Sequence, residues 1–225
     1  GHEDTLSVTM EDMIHHTRAV TRGAKNTLVV ADMPFMSYQT SVYDSVVNAG
    51  RLIKEGRAQV VKLEGGIEVC DKIEAIVKAS IPVMAHIGLT PQSVNAFGGF
   101  KVQGKDKEAA KELIRAAKAV EKAGAFLINL EGIPVGVAKR ITEELKIPTM
   151  GIGAGKYCDS QDLVWPDIMG VNDWIPKFAK KYCDLRTYIV DGLNQFADDV
   201  NSGAFPTKEY SYNTVVEGYE VDDEE

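Results

Sequence analysis

Short runs rich in Val, Ile and Leu recur along this chain, and most follow a longer stretch with the wider apolar spacing and charged face of an amphipathic helix. The apolar runs occupy residues 27–31, 59–63, 81–85, 125–130, 148–152 and, less regularly, 163–171. Helical spacing is found over 10–22, 42–55, 69–79, 107–123 and 135–145, with a terminal helix over 188–201. A strand apolar on both faces needs cover on both, and parallel strands need a crossover between them. The alternation therefore predicts an α/β fold with a parallel sheet under helices. Gly23-Ala24, Gly56-Arg57-Ala58 and Gly124-Ala125 stand between helix and strand, as a helix C-cap and a short turn require.

Six βα-like units are visible, whereas a closed (β/α)8 barrel has eight strands in ~250 residues. Read as a barrel, the chain is two units short, and the run at 27–31 becomes an unpaired apolar edge that invites association. A doubly wound sheet of six strands is the alternative that needs no further unit. A chain of 225 residues, 44% of them hydrophobic, can bury one large core. One domain over 1–206 is expected, followed by an acidic tail over 207–225 whose last residues, 217–225, are expected to be disordered and solvated. The chain opens with Gly1 rather than Met, so an upstream segment is expected to have been processed or left out.

The net charge of −8 and pI near 5.1 argue against a nucleic-acid backbone or an anionic membrane surface as partner, because both reward excess Lys and Arg. No apolar run approaches the ~20 residues that a membrane helix needs. Cys70, Cys158 and Cys183 lie far apart and in odd number, which reads as free thiols in a reducing compartment. A cytoplasmic protein acting on a small molecule is the expectation.

In either parallel architecture, chemistry sits where strands end at their carboxyl side. The first run ends in Asp32, and a carboxylate there either caps the next turn or faces a ligand. In Val60-Val61-Lys62-Leu63-Glu64-Gly65-Gly66, side chains alternate, so Lys62 and Glu64 share one face and Val61 and Leu63 the other. Opposite charges on one face of an apolar strand pair with each other, with a metal or with a substrate, unless the strand is a wet edge. The third run ends in Met84-Ala85-His86, and the fourth in Asn129-Leu130-Glu131-Gly132-Ile133-Pro134. Glu131 follows four apolar or amide residues and suits a partly buried carboxylate of raised pKa, the usual condition of a general base. His86 alone reads as a hydrogen-bonded structural imidazole. Four consecutive strands thus end in Asp, Lys and Glu, His, and Glu.

Other motifs fail. Gly151-Ile152-Gly153-Ala154-Gly155-Lys156 has Lys where the dinucleotide fingerprint has its third Gly, and Tyr157 follows where a phosphate loop has Ser or Thr. His15-His16 is a solvated pair, and no Cys and His spacing supports zinc.

Ala31-Asp32-Met33-Pro34-Phe35, Val61-Lys62-Leu63-Glu64-Gly65-Gly66, the string from His86-Ile87-Gly88-Leu89-Thr90-Pro91-Gln92-Ser93 to Phe97-Gly98-Gly99-Phe100-Lys101-Val102-Gln103-Gly104, Ile152-Gly153-Ala154-Gly155 and Pro176-Lys177-Phe178 together resemble, in order, the motifs of ketopantoate hydroxymethyltransferases. Gly1-His2 with Thr5-Leu6 and Val8-Thr9 extends the likeness, which runs from Gly1 to about Pro206. The resemblance implies a (β/α)8 barrel that adds a hydroxymethyl group from 5,10-methylenetetrahydrofolate to 3-methyl-2-oxobutanoate with Mg2+, in a homo-oligomer. It implies Asp32 and Glu64 as metal carboxylates, Asp32 and Lys62 as contacts to the keto acid, and Glu131 as proton acceptor; His86, at the same rim, is expected in a supporting role.

The chain departs from that pattern in places. Two strands that the family has upstream of the Gly-His motif, the second ending in a Gly-Asp-Ser motif that binds metal and substrate, are not in this sequence. The family's Asp-Gly-Gln stands as Asp159-Ser160-Gln161 and its His-Asp as Pro166-Asp167, while Trp174 stands where a His is common. Weak binding and slow or no turnover by this chain alone is the resulting expectation. Two other readings stay open: a non-catalytic barrel homologue with a structural or binding role, and another Mg2+-enolate enzyme of the phosphoenolpyruvate mutase and isocitrate lyase group.

Overall fold

Polar residues with free side-chain acceptors mark where the helices begin. Thr9 accepts from the Asp12 N–H at 3.1 Å while the Asp12 carboxylate accepts from the Thr9 N–H at 3.0 Å, a reciprocal cap that opens α1 (Met10–Gly23). Ser41 opens α2 (Val42–Lys54) by accepting from Asp44 N–H at 3.0 Å. Asp106 opens α5 (Lys107–Lys122) by accepting from the N–H groups of Glu108 and Ala109. α3 (Cys70–Lys78) grows out of a 3₁₀ turn, and α4 (Val94–Phe97) is a single short turn ended by Gly98 in the left-handed region. α6 (Val135–Glu144) starts just after Pro134.

The computed structural model describes residues 2–220. Gly1 of the amino-terminal motif and residues 221–225 of the expected acidic tail lie outside the described residues. The chain divides into two compact units, residues 1–162 and residues 163–225.

In the first unit, strands β1 (Val30–Asp32), β2 (Val60–Glu64), β3 (Val83–Gly88), β4 (Leu127–Glu131), β5 (Thr149–Ile152) and β6 (Ser160–Gln161) form one sheet in the order β1-β2-β3-β4-β5-β6. Every pairing is parallel. There is no reversal of strand order, which is where a doubly wound sheet would differ. The sixth strand corrects the sequence reading. It lies at Ser160–Gln161 and not at 163–171, where α7 (Trp165–Ile168) forms instead. A two-residue polar strand carries no apolar run to detect.

The side chains of the sheet divide between two clusters. Ala31, Val61, Leu63, Val83, Ala85, Ile87, Ile128 and Leu130 point to one face and pack under helices with Ile14, Leu52, Ile73, Ile76, Val120 and Ile141. Val60, Met84 and Leu127 point to the other face, with Val30 and Met150 against them. The register pairs Val30 with Val60, Met84 with Leu127, and then, further along the strands, Asp32 with Lys62, Glu64 with His86, His86 with Asn129. The second face therefore has an apolar floor at its amino-terminal side and a polar layer toward the carboxyl ends. Each buried Leu or Ile contributes roughly 1.5–3 kcal/mol, so the helix-covered face carries most of the stability of this unit.

The second unit contains α7 and α8 (Leu185–Ser202), which buries none of its residues. Phe196, Phe205 and Tyr210 stack in series, with ring centroids 5.7 and 5.6 Å apart. Residues 217–220 are exposed. Among the described residues, no helix is long and apolar enough to cross a membrane.

Candidate active site

Strand alternation carries Asp32, Lys62, Glu64, His86, Asn129 and Glu131 to the face opposite the helices, because Ala31, Val61, Leu63, Ala85, Ile128 and Leu130 are committed to the core. Lys62 Nζ lies 2.7 Å from Asp32 Oδ2 and 3.2 Å from His86 Nδ1. The other ring nitrogen of His86, Nε2, lies 3.0 Å from the Leu89 carbonyl and 3.3 Å from Glu131 Oε2. An ammonium group only donates, so His86 Nδ1 accepts from Lys62 and the ring proton is on Nε2, facing Leu89 and Glu131.

Electrostatics follows from this packing. Burial, and then the adjacent Lys62 charge, push the His86 pKa down to about 3. The imidazole is neutral, and its 3.9 Å approach to Glu64 Oε1 is not an ion pair. Burial works against the Lys62 charge, yet the attraction of Asp32 and Glu64 outweighs it and the Lys62 pKa is raised. Burial pushes Glu64 up to about 7 despite Lys62, and does the same to Glu131, again to about 7. A carboxylate whose pKa sits near neutrality is poised to accept a proton.

Glu64 is held by residues outside its own strand. Its Oε2 accepts from the Gln92 N–H at 2.9 Å. Its backbone N–H donates to Tyr38 Oη at 3.1 Å, and Tyr38 Oη lies 3.0 Å from the Glu64 carbonyl. Tyr38 also donates to Gln92 Oε1 at 2.7 Å, and Gln92 Nε2 donates to the Met33 carbonyl at 2.8 Å. Burial raises the Tyr38 pKa, so the phenol keeps its proton.

Among the described residues, Asp32 Oδ1 and Asn129 Oδ1 are buried with no hydrogen-bond partner, and Glu64 Oε1 lies 3.9 Å from the neutral imidazole. An unpaired buried acceptor is costly unless something occupies it. Hard oxygen donors of this kind suit Mg2+, which takes one or two carboxylates and keeps several waters. Asp32 and Glu64 fit such a cation as a pair. Among the described residues, no group of three His, Cys, Asp or Glu is arranged to hold a metal ion.

All five residues singled out in the sequence, Asp32, Lys62, Glu64, His86 and Glu131, thus lie on one face at the carboxyl ends of four adjacent strands. Sequence reasoning missed Tyr38, the role of Gln92, the unsatisfied Oδ1 of Asn129 and the charge of Asp162, which acts on both His86 and Glu131. Asp162 follows β6, so finding that strand would have pointed to it.

A model of the ketopantoate hydroxymethyltransferase family matches residues 1–208. The chain is 75% identical over 213 residues to the 3-methyl-2-oxobutanoate hydroxymethyltransferase of Enterococcus faecalis, covering 94% of this chain and 78% of that protein. It is 63% identical to the protein of the same name from Clostridium acetobutylicum, covering 94% and 77%. Among solved structures, a phosphonopyruvate hydrolase aligns over 94% of this chain and 73% of its own with a TM-score of 0.51 at 14% identity. That likeness speaks to fold alone.

Proposed function

The chain belongs to the ketopantoate hydroxymethyltransferase family, and from that premise we propose that it transfers a hydroxymethyl group from 5,10-methylenetetrahydrofolate to 3-methyl-2-oxobutanoate in pantothenate biosynthesis. The observation that carries this reading is the convergence of a base with pKa near neutrality, Glu131, and a cationic Lys62 on the face where Asp32 has a buried oxygen without a partner.

In this reading Asp32 and Glu64 would hold Mg2+ with their carboxylates. Bound there, the cation would supply Lewis-acid polarisation of the keto acid. Glu131 takes the proton from C3, and the neutral His86, with Nε2–H against Glu131 Oε2, keeps that carboxylate oriented. Lys62 supplies positive charge for the oxygen that becomes negative as the proton leaves. Asp32, tied to Lys62, orients that charge and contacts the keto acid with it. The carbanionic carbon then bonds to the methylene carbon of the folate and both carbon–nitrogen bonds to the folate break. One water supplies the hydroxyl oxygen to that carbon and a proton to one released folate nitrogen, and the proton taken from C3 goes to the other. The same reading takes the six strands as six of the eight of a (β/α)8 barrel, with residues 1–206 as barrel, 207–225 as an acidic extension, and a cytoplasmic homo-oligomer as the working form.

A second reading, a non-catalytic homologue, is favoured by one observation: among the described residues no group of three His, Cys, Asp or Glu is placed to hold a cation. The experiment that separates them is deuterium exchange at C3 of 3-methyl-2-oxobutanoate with Mg2+. It is run with and without a peptide carrying the part of the Enterococcus faecalis protein that this chain does not match. Exchange in either arm that is lost in Glu131→Gln supports the transferase. No exchange in both arms overturns it in favour of the non-catalytic reading.

A further inference from the structure

Gln92 touches both halves of the proposed cation pair without belonging to either. Its backbone N–H holds Glu64 Oε2 at 2.9 Å, and its side-chain amide holds the carbonyl of Met33, the residue next to Asp32, at 2.8 Å. The remaining amide oxygen is fixed by the Tyr38 hydroxyl at 2.7 Å and by Gln39 Nε2 at 3.1 Å. Tyr38 is fully buried, and its hydroxyl accepts from the Glu64 N–H at 3.1 Å while donating to Gln92. The amide therefore has little freedom to rotate.

We propose that Gln92, locked by Tyr38, is a positioning residue that sets the spacing between the Asp32 and Glu64 carboxylates and thereby the preference of the site for a small divalent cation over a larger one. The inference rests on the cation site of the proposed function. Each ligand strand is followed by a turn through a positive-φ residue, Met36 at φ +66° shortly after β1 and Gly65 at φ +132° directly after β2, so neither carboxylate is followed by continuing strand. The ladder ties β1 to β2 as far as the Met33 N–H, which donates to the Lys62 carbonyl at 2.8 Å; beyond that bond, loss of the Gln92 ties would let the two carboxylates part by the few tenths of an ångström that separate cation sizes. Mg2+ demands near-octahedral geometry at about 2.0–2.1 Å, whereas Ca2+ accepts about 2.3–2.6 Å in a looser shell. Loosening the tie must cost Mg2+ more than Ca2+. A purely structural role would weaken both alike.

The test is separate calorimetric titration of Mg2+ and Ca2+ into the 225-residue chain and its Gln92→Met, Tyr38→Phe and Asp32→Asn variants. Met matches Gln in length and keeps the backbone N–H while lacking the amide. Gln92→Met should weaken Mg2+ by about 10- to 100-fold, the usual range for residues that support a ligand, and Ca2+ by about threefold or less. Tyr38→Phe should move the ratio in the same direction by a smaller factor. If Gln92→Met does not fold, the Tyr38→Phe ratio decides, and an unchanged ratio overturns the proposal. Equal losses for both cations in folded Gln92→Met overturn it as well. Wild-type binding that Asp32→Asn does not weaken, or no wild-type binding, removes the site itself and the spacing role with it. Asp32-dependent binding with an unaltered Mg2+ to Ca2+ ratio removes the spacing role alone.

Discussion

Lys62 Nζ stands 3.2 Å from His86 Nδ1, and this contact fixes the tautomer of a buried imidazole. With Nδ1 accepting, the proton sits on Nε2 and points at the Leu89 carbonyl and Glu131. Burial, and then the neighbouring Lys62 charge, oppose a cation at this ring, and the pKa of His86 is pushed down to about 3. In ¹⁵N-histidine spectra, His86 should remain the neutral Nε2–H form from about pH 5 to 8, assigned by its loss in His86→Gln. A titration of this ring near pH 6 would contradict the Lys62 contact.

Glu131 governs the pH dependence of both rate and stability. Its pKa rises from the ordinary 4.5 to about 7, first through burial. As a base it acts when deprotonated, so C3 exchange should rise with pH and level off above about 7. The stability effect has the opposite sign. Below 4.5 both folded and unfolded chains hold the proton; between 4.5 and about 7 the unfolded chain gives it up first, and stability falls as pH rises. Relative to wild type, Glu131→Gln should gain stability on the order of 3 kcal/mol between pH 4 and pH 8 in denaturant titrations. The same variant should lose at least about a hundredfold in exchange rate.

Lys62 and Asp32 should show strong coupling. Lys62→Met leaves the Asp32 carboxylate with neither oxygen paired, since Oδ1 has no partner and Oδ2 loses Nζ. Because the Asp32 side chain is 36% exposed, water offsets part of the loss. A destabilisation of about 1–2 kcal/mol is expected. The double variant Asp32→Asn with Lys62→Met should recover at least half of it, and a cycle with simple additivity would contradict a direct pair.

Gly88→Ala should cost about 2–3 kcal/mol or more. Gly88 has φ +97°, and a methyl group there would meet the backbone oxygen of Glu131 and Ile133 Cγ2. Both the left-handed backbone and the close approach oppose it. Soluble yield and melting temperature measure the effect, and a variant as stable as wild type would show that the β3 and β4 ends separate easily.

The legible part of this fold was the part that local pattern encodes. The apolar spacing over 10–22, 42–55 and 107–123 predicts helices, and α1, α2 and α5 begin there, at Met10, Val42 and Lys107. Lys62 and Glu64 declared their shared face by alternating with Val61 and Leu63, which fill the core. β6 was missed because pairing with Met150 and Gly151, not its own composition, makes Ser160–Gln161 a strand. Tyr38 and Gln92 were not distinguished because their partners are 26 to 59 positions away in sequence. Such bonds depend on which strand ends meet, and no local pattern encodes that. The left-over oxygen of Asp32 is likewise visible only once every neighbour has been placed.

The layer of Val60, Met84 and Leu127 beneath the polar residues has a consequence for what those residues can meet. Apolar side chains offer Lys62, Glu64 and His86 no donor or strong acceptor from the amino-terminal side, so whatever compensates their charge and polarity has to come from one another or from the strand ends above.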